Sequence, residues 1–199
     1  MDRRQWLERL ALSAATLASP RPTSAAAPIL TRVETGLGEF VIAVDAAVAP
    51  RTVANYLAYV DGGFLDGGSV YRIVTLANQS PDTRHKIEVV QWGMNLPDDK
   101  APPFPPIPHE STRETGLRHL DGTVSMARST PGSAASEFFI CVGDQPELDF
   151  GGRRNPDGLG FAAFGRVMQG GEVVRALHGQ GTEKQFLDQP IAIRSVRRV

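Results

Sequence analysis

Two short segments in the second half of the chain decide its fold: Gly122-Thr-Val-Ser-Met-Ala-Arg128 and Ser136-Glu-Phe-Phe-Ile140. Both contain the β-branched and aromatic residues that are typical of strands, and both place a polar group beside an apolar run. A third segment, Tyr71-Arg-Ile-Val74, puts an arginine inside an otherwise apolar strand. An arginine in such a position is costly to bury, because a guanidinium does not lose its charge. Together the three segments predict a hydrophobic pocket with one fixed cationic donor.

Outward from these segments, the hydrophobic pattern predicts eight strands and two helices. The strands are expected at residues 29–35, 39–44, 69–75, 88–92, 123–128, 138–142, 161–168 and 191–197. Pro50 begins the first helix, where its missing N–H costs nothing, and the second helix covers residues 171–177. Eight antiparallel strands can close into a barrel, and closure removes the sheet edges that invite aggregation. The expected fold class is therefore mainly β: a closed eight-stranded antiparallel barrel capped by two helices.

Length, charge and residue usage exclude several classes of function. The chain has 199 residues, which suits one folded domain, and its formal net charge of −1 gives no sign of nucleic-acid binding. The single cysteine, Cys141, excludes an intramolecular disulfide and a cysteine-based zinc site. The four histidines stand at no metal-ligand spacing, and no serine or cysteine lies in a nucleophile elbow. We therefore expect neither a metal site nor a hydrolase, and we interpret His119 as a structural hydrogen-bonding residue.

Residues 1–26 are interpreted as a signal peptide that precedes a folded domain over residues 27–199. The segment Asp2-Arg-Arg-Gln-Trp-Leu7 resembles a twin-arginine (Tat) signal, and the apolar stretch 10–18 is too short to span a membrane. Small residues at Ser24-Ala-Ala26 suit a signal peptidase. This pattern predicts export to the periplasm, or otherwise out of the cytoplasm, with no membrane span in the mature form. A Sec signal and an uncleaved anchor are the alternatives.

Three long loops are expected between the strands. Residues 95–108 contain six prolines, which is typical of a stiff crossing of the barrel surface or of a recognition segment for a partner. Residues 76–86 form a second, polar loop. Residues 149–160 are rich in glycine but lack the strand and helix of a phosphate-binding loop, so nucleotide binding is not expected.

In their order along the chain, these segments resemble the cyclophilin family of peptidyl-prolyl cis–trans isomerases. The resembling segments are residues 48–56, 71–74, 90–93, 117–127, 136–140, 147–149 and 164–167. The resemblance runs from Ile29 to the C-terminus. It implies the barrel with two capping helices, rotation about Xaa–Pro bonds that assists protein folding, and proline-containing polypeptides as partners. It also implies no cofactor or metal, and a monomer, as for most single-domain members.

The resemblance further implies which residues form the site, on the outer face of the barrel. Arg72 matches the family's catalytic arginine, and Gln91 matches the glutamine that orients it. The substrate-binding positions are Val89, Ala127, Arg128, Glu137, Phe139, Leu148 and Phe161. Among these, Phe139 matches the floor of the proline pocket and Leu148 its wall.

This chain departs from the family pattern at several positions of the pocket. Glu137 replaces a glutamine, and its carboxylate is expected to pair with Arg72. Glu88 and Val89 stand where the family often has phenylalanine and methionine, and Phe161 replaces a histidine. Glu147 replaces a tryptophan of eukaryotic members, which predicts weak binding of cyclosporin.

Two hypotheses of function remain open from the sequence. The first is an active exported isomerase, because Arg72, Gln91, Phe139 and Leu148 are retained together. The second is a cyclophilin-fold binding or chaperone module with little catalysis, in which the glutamates and the long loops have altered the pocket.

Overall fold

A computed structural model describes residues 27–97 and 99–199, and in this part of the chain eight strands form a closed, wholly antiparallel barrel. The strands are β1 (Ile29–Thr35), β2 (Gly38–Val44), β3 (Ser69–Val74), β4 (Val89–Gly93), β5 (Thr123–Met126), β6 (Glu137–Cys141), β7 (Ala162–Gln169) and β8 (Phe186–Arg198). Their order around the barrel is β1-β2-β7-β5-β6-β4-β3-β8, and β8 pairs back with β1. The barrel predicted from the hydrophobic pattern is confirmed.

The last strand is the one whose bounds differ most from the sequence prediction, because β8 begins at Phe186 rather than Ile191. Ile191 pairs with Val70, and the next pairing on this edge is Phe186 with Arg72, so β8 bulges between them. Pro190 lies inside that bulge, where its missing N–H breaks no ladder hydrogen bond.

Three α-helices accompany the barrel in the described residues, α1 (Pro50–Asp61), α2 (Thr112–Thr115) and α3 (Gly171–His178), together with a 3-10 turn over Pro146–Leu148. The two predicted helices, α1 and α3, both bury apolar side chains in the cluster that fills the barrel. The third, α2, is a single turn closed by a capping box between Ser111 and Glu114, and it is too short to show a helical period. None of the described helices is long and apolar enough to cross a lipid bilayer.

Two hydrophobic clusters occupy opposite faces of the sheet. The interior of the barrel contains a large cluster that includes Tyr56, Trp92 and Phe138, while a smaller one on the outer face includes Val89 and Phe139. Because successive side chains of a strand point to opposite faces, β4 and β6 each contribute to both clusters. The smaller cluster is the base of the candidate site.

Candidate active site

A β-bulge in β3 places two consecutive side chains on the outer face of the barrel. Val70 pairs with Trp92 and Arg72 pairs with Gln91, so Tyr71 is an extra residue without a partner in β4. Val70 and Ile73 point into the core on either side of the bulge. Arg72 therefore faces outward beside Tyr71, although strict alternation would allow only one of them to do so.

The outer cluster opens into a pocket of about 210 Å³. Its lining includes every residue that the sequence assigned to the site except Glu137, together with three others. The assigned residues are Arg72, Val89, Gln91, Ala127, Arg128, Phe139, Leu148 and Phe161, and the others are Ile87, Arg154 and Asn155. The structure thus brings together side chains from three strands and from the segments that follow β5 and flank the loop 149–160.

The floor of this pocket is apolar and closely packed. Phe139, Leu148 and Val89 are buried in one cluster, and the ring of Phe161 stands perpendicular to that of Phe139 with 5.3 Å between centroids. An apolar floor of this kind suits a small aliphatic or ring-shaped group, because its burial removes apolar surface from water.

The guanidinium of Arg72 is held at the edge of the floor by two glutamines. Its Nη1 donates to Oε1 of Gln91 at 2.8 Å, and its Nε and Nη2 both donate to Oε1 of Gln185 at 3.2 and 2.6 Å. A guanidinium has five N–H groups, so these three bonds leave two, one on each terminal nitrogen, without a partner among the described residues. Arg72 is therefore a fixed cationic donor beside an apolar floor, with donors to spare for a ligand.

Glu137 does not pair with Arg72, and that expectation from the sequence is wrong. Its carboxyl group lies beside the hydroxyl of Tyr71, and the two line a separate cavity of about 530 Å³ with Met94, Asn95, Leu96 and Pro97. Within the described residues its Oε2 is buried and has no hydrogen-bond partner. Burial raises the pKa of Glu137 to about 7. Glu137 lies two positions before Phe139 in β6, so the two side chains face the same side of the sheet. Glu137 is nevertheless one strand repeat away from the pocket floor.

Arg128 forms a wall of the pocket through its side chain. Its guanidinium donates to both carboxylate oxygens of Asp157 at 2.8 and 2.9 Å and to the backbone oxygen of Gly160. Its Cζ lies 5.2 Å from the ring centroid of Phe161. These hydrogen bonds lower the pKa of Asp157 to about 2. The resemblance to the family placed Arg128 among the substrate-binding positions, and the structure shows that its side chain also holds the loop 149–160.

A buried His–Asp–Ser arrangement supports the floor from behind. Nδ1 of His119 contacts Oδ1 of Asp149 at 2.8 Å, its Nε2 contacts Oγ of Ser125 at 3.0 Å, and its ring stacks on Phe139. Burial lowers the pKa of His119, which favours the neutral ring. Ser125 is fully buried, so it has no access to a substrate carbonyl. The structural interpretation of His119 agrees with these contacts.

The other two glutamates do not close the pocket. Glu88 lies 3.8 Å from His178, and Ile87 rather than Glu88 lines the pocket beside Val89. Glu147 pairs with His85 at 3.2 Å, outside the pocket lining. The side chains of Glu88 and Glu147 therefore lie outside the pocket lining that the hypothesis of a binding module supposed them to alter.

Five residues at or beside the site were not predicted from the sequence. They are Tyr71, Ile87, Arg154, Asn155 and Gln185. The sequence could have indicated Arg154 and Asn155. The loop 149–160 that contains them begins directly after Leu148 and ends directly before Phe161, so both ends of the loop lie at the pocket. Tyr71 depends on a bulge and Gln185 on a pairing across 113 positions, which no local pattern reveals.

Within 27–97 and 99–199, no group of three or more His, Cys, Asp or Glu side chains lies close enough together to hold a metal ion.

A closed antiparallel barrel with a fixed arginine beside an apolar pocket floor has the architecture of a β-barrel with a candidate ligand site on its outer face. The sequence identifies the family more closely, because residues 30–198 match the family model described as cyclophilin type peptidyl-prolyl cis-trans isomerase/CLD. The chain belongs to this family.

Curated relatives agree with that assignment. A peptidyl-prolyl cis-trans isomerase of Streptomyces antibioticus is 35% identical over 172 residues, which cover 83% of this chain and 95% of the relative. Peptidyl-prolyl cis-trans isomerase A of Dickeya dadantii is 35% identical over 170 residues, covering 82% of this chain and 80% of the relative. Among solved structures, a cyclophilin type isomerase of Cryptosporidium parvum has a TM-score of 0.68 at 17% identity, covering 86% of this chain and 98% of that one. At this identity the structural likeness concerns the fold alone.

Proposed function

We propose that this chain catalyses rotation about Xaa–Pro peptide bonds in polypeptides, at the pocket between Arg72 and Phe139, and so assists protein folding. The observation that carries the proposal is the fixed guanidinium of Arg72 beside an apolar floor, with two N–H groups that have no partner in residues 27–97 and 99–199. Relatives at 31–35% identity are named peptidyl-prolyl cis-trans isomerases, which supports the same reaction here. A solved relative of the same fold is described in the presence of the dipeptide Ala-Pro.

The reaction needs a twisted amide to be stabilised relative to a planar one. Resonance gives the amide C–N bond double-bond character, with a rotational barrier of roughly 18–20 kcal/mol. As the bond rotates, resonance is lost and the lone pair of the prolyl nitrogen localises. A hydrogen bond from the Arg72 guanidinium to that nitrogen is stronger in the twisted state than in the planar state. Such a preference lowers the barrier, because only interactions that strengthen in the transition state accelerate a reaction.

The apolar floor supplies the second requirement, which is to hold the proline ring while the rest of the chain turns. Phe139, Leu148 and Phe161 present apolar surface to the ring, and the preformed pocket positions the bond against Arg72. No proton transfer and no covalent intermediate is needed. Activity should accordingly depend little on pH through the ionisation of Arg72, whose guanidinium stays charged.

The test is exchange NMR on an Ala-Pro peptide with catalytic amounts of the protein and of its Arg72→Ala variant. We expect the variant to lose about 10²- to 10³-fold in kcat/KM, the usual effect of removing one preorganised donor. Arg194→Ala, which removes an exposed arginine on β8, is the matched control and should retain full activity. If the folded wild-type protein does not accelerate exchange, the alternative of a binding or chaperone module without catalysis is favoured instead.

We further propose that the protein is exported, on the basis of the Tat-like segment at residues 2–7 and the small residues before position 27. The test is to express the full chain in a bacterial host, fractionate the cells and measure the intact mass. Cleavage near residue 26 in the exported fraction supports the proposal, and an uncleaved cytoplasmic product contradicts it. Loss of export in an Arg3→Lys, Arg4→Lys double variant would separate a Tat route from a Sec route.

A further inference from the structure

Gln185 contacts two of the three nitrogens of the candidate catalytic guanidinium. Its Oε1 accepts from Nε and Nη2 of Arg72, whereas Gln91 accepts only from Nη1. In the described structure Gln185 therefore supplies two of the three hydrogen bonds that fix Arg72. We propose that Gln185 is a positioning residue for Arg72, a role that rests on the proposed isomerase function.

The side-chain amide of Gln185 is itself held in one orientation. Its Nε2 donates to the backbone oxygen of Asn78 at 3.3 Å, which leaves Oε1 to face Arg72. Its backbone oxygen accepts from the N–H of Ile73, the residue after Arg72, at 2.8 Å. Both contacts connect Gln185 to the strand that carries Arg72 and to the loop that follows it.

Asn78 connects the loop that follows β3 with the segment that precedes β8. Its side-chain amide donates to the backbone oxygens of Ile73 at 2.9 Å, Thr182 at 3.1 Å and Lys184 at 3.4 Å. The segment before β8 is thereby fastened to the end of β3. Gln185 does not depend on one flexible contact, because the backbone on both sides of it is anchored.

Phe186, the next residue, covers the guanidinium from one face. Its ring centroid lies 5.6 Å from Cζ of Arg72, and the ring stacks on Tyr71 with 20° between the planes. A cation over an aromatic face is attracted to it, so Phe186 adds a favourable contact to the guanidinium of Arg72. Gln185 therefore accepts from Nε and Nη2 of Arg72, Gln91 accepts from Nη1, and Phe186 contacts the guanidinium through its ring.

This arrangement has a consequence for kinetics that a purely structural role would not have. A donor that is displaced by about 1 Å from its productive position can cost as much as 100-fold in rate. Loss of Gln185 should therefore lower kcat, whereas KM should change little because the apolar floor is untouched. Loss of a merely structural contact would lower stability and leave both constants unchanged in the folded fraction.

The experiment uses Gln185→Met, which keeps the length of the side chain and removes both polar atoms. We expect kcat for an Ala-Pro peptide to fall about 10- to 100-fold with KM within about twofold of the wild type. Gln189→Met, at an exposed position of the same strand, is the control and should match the wild type. An unchanged kcat in a folded Gln185→Met protein would overturn the proposal.

A double-mutant cycle with Arg72→Lys tests whether Gln185 acts through the arginine. A lysine lacks the planar fork, so Gln185→Met should cost less than about twofold in the Arg72→Lys background. An equal loss in both backgrounds would show that Gln185 acts independently of Arg72 and would contradict the inference. The ¹⁵N resonance of Arg72 Nε gives a reading without turnover: it should be resolved and protected from exchange in the wild type and exchange faster in Gln185→Met. If the wild type shows this resonance but no isomerase activity, the proposed function fails while the contact itself is retained.

Discussion

Burial of Glu137 opposes ionisation of its carboxyl group. Burial raises its pKa from 4.5 to about 7, and one of its carboxyl oxygens has no hydrogen-bond partner in the described residues. The folded state thus favours the neutral carboxyl, whereas the unfolded chain ionises it at lower pH. Stability from this group is therefore complete below about pH 4.5 and is lost as the pH rises through 7.

From this conflict we predict that Glu137→Gln stabilises the protein at pH 8 and has almost no effect at pH 4. The gain at pH 8 should be about 1–3 kcal/mol, since each pKa unit corresponds to about 1.4 kcal/mol and local relaxation recovers part of the cost. Urea unfolding of both proteins at the two pH values measures it. Glu183→Gln, at an exposed position, is the control and should show no such difference. An equal effect of Glu137→Gln at both pH values would contradict the prediction.

The residues of the site differ in how far the sequence alone could place them. Arg72, Gln91 and Phe139 were assigned to the site by the resemblance to the family. Strand alternation alone requires only that Phe138 and Phe139 face opposite sides of the sheet, and it does not show which of them lies in a pocket. The partner of Glu137 was predicted wrongly because the bulge at Tyr71 puts a tyrosine where the arginine was expected to reach. Gln185 could not be predicted, since it meets Arg72 only after the barrel closes between β3 and β8.

The start of α1 shows how one element depends on another that is distant in sequence. The residue before the helix is Ala49, whose methyl side chain has no polar atom that could cap the helix. Instead Glu110 accepts from the N–H and the hydroxyl of Thr52, both at 2.6 Å, and from the N–H of Arg51 at 3.2 Å. A buried carboxylate thus satisfies the first free N–H groups of the helix and lies at the positive end of its dipole.

We expect Glu110→Ala to lower the free energy of unfolding by about 2–4 kcal/mol, because it removes a helix cap and leaves the buried N–H and hydroxyl donors without an acceptor. Although burial opposes ionisation, the hydrogen bonds from Thr52 and Arg51 lower the pKa of Glu110. The stability that it contributes is therefore present above its unfolded pKa and declines as the pH falls through its folded pKa. Chemical denaturation at pH 7 and pH 3 measures both effects, and isomerase activity of the folded variant should be unchanged. A variant as stable as the wild type at pH 7 would show that the cap is dispensable.

The proline-rich loop that precedes Glu110 is fastened to the same helix. Phe104 packs against Tyr59 of α1 with 5.0 Å between ring centroids, and the N–H of Ile107 donates to the backbone oxygen of Ala134. These contacts favour the interpretation of residues 95–108 as a stiff crossing of the surface over a recognition segment. Sequence composition left both open, because prolines stiffen a chain without showing what its other side chains contact.

At the scale of the whole molecule, one strand serves two separate hydrophobic clusters. Phe138 is fully buried in the interior with Trp92 and Tyr56, and its neighbour Phe139 forms the floor of the pocket on the outer face. The alternation of a β-strand divides stability and binding between two adjacent residues of the same type. The chain thus offers a matched pair of variants in which the chemical change is identical and only the face differs.

The pair separates the two roles in one set of measurements. Phe138→Ala should lower the free energy of unfolding by about 3–5 kcal/mol, because it leaves a cavity in a closed core that cannot collapse. Phe139→Ala should lower the free energy of unfolding less, since its cavity opens to solvent at the pocket. It should raise KM for an Ala-Pro peptide and lower kcat/KM at least tenfold, which corresponds to a loss of about 1.4 kcal/mol of binding free energy. Urea unfolding and exchange NMR on both variants test the division. If Phe138→Ala were the one that lost activity while remaining stable, the assignment of the outer face as the site would be wrong.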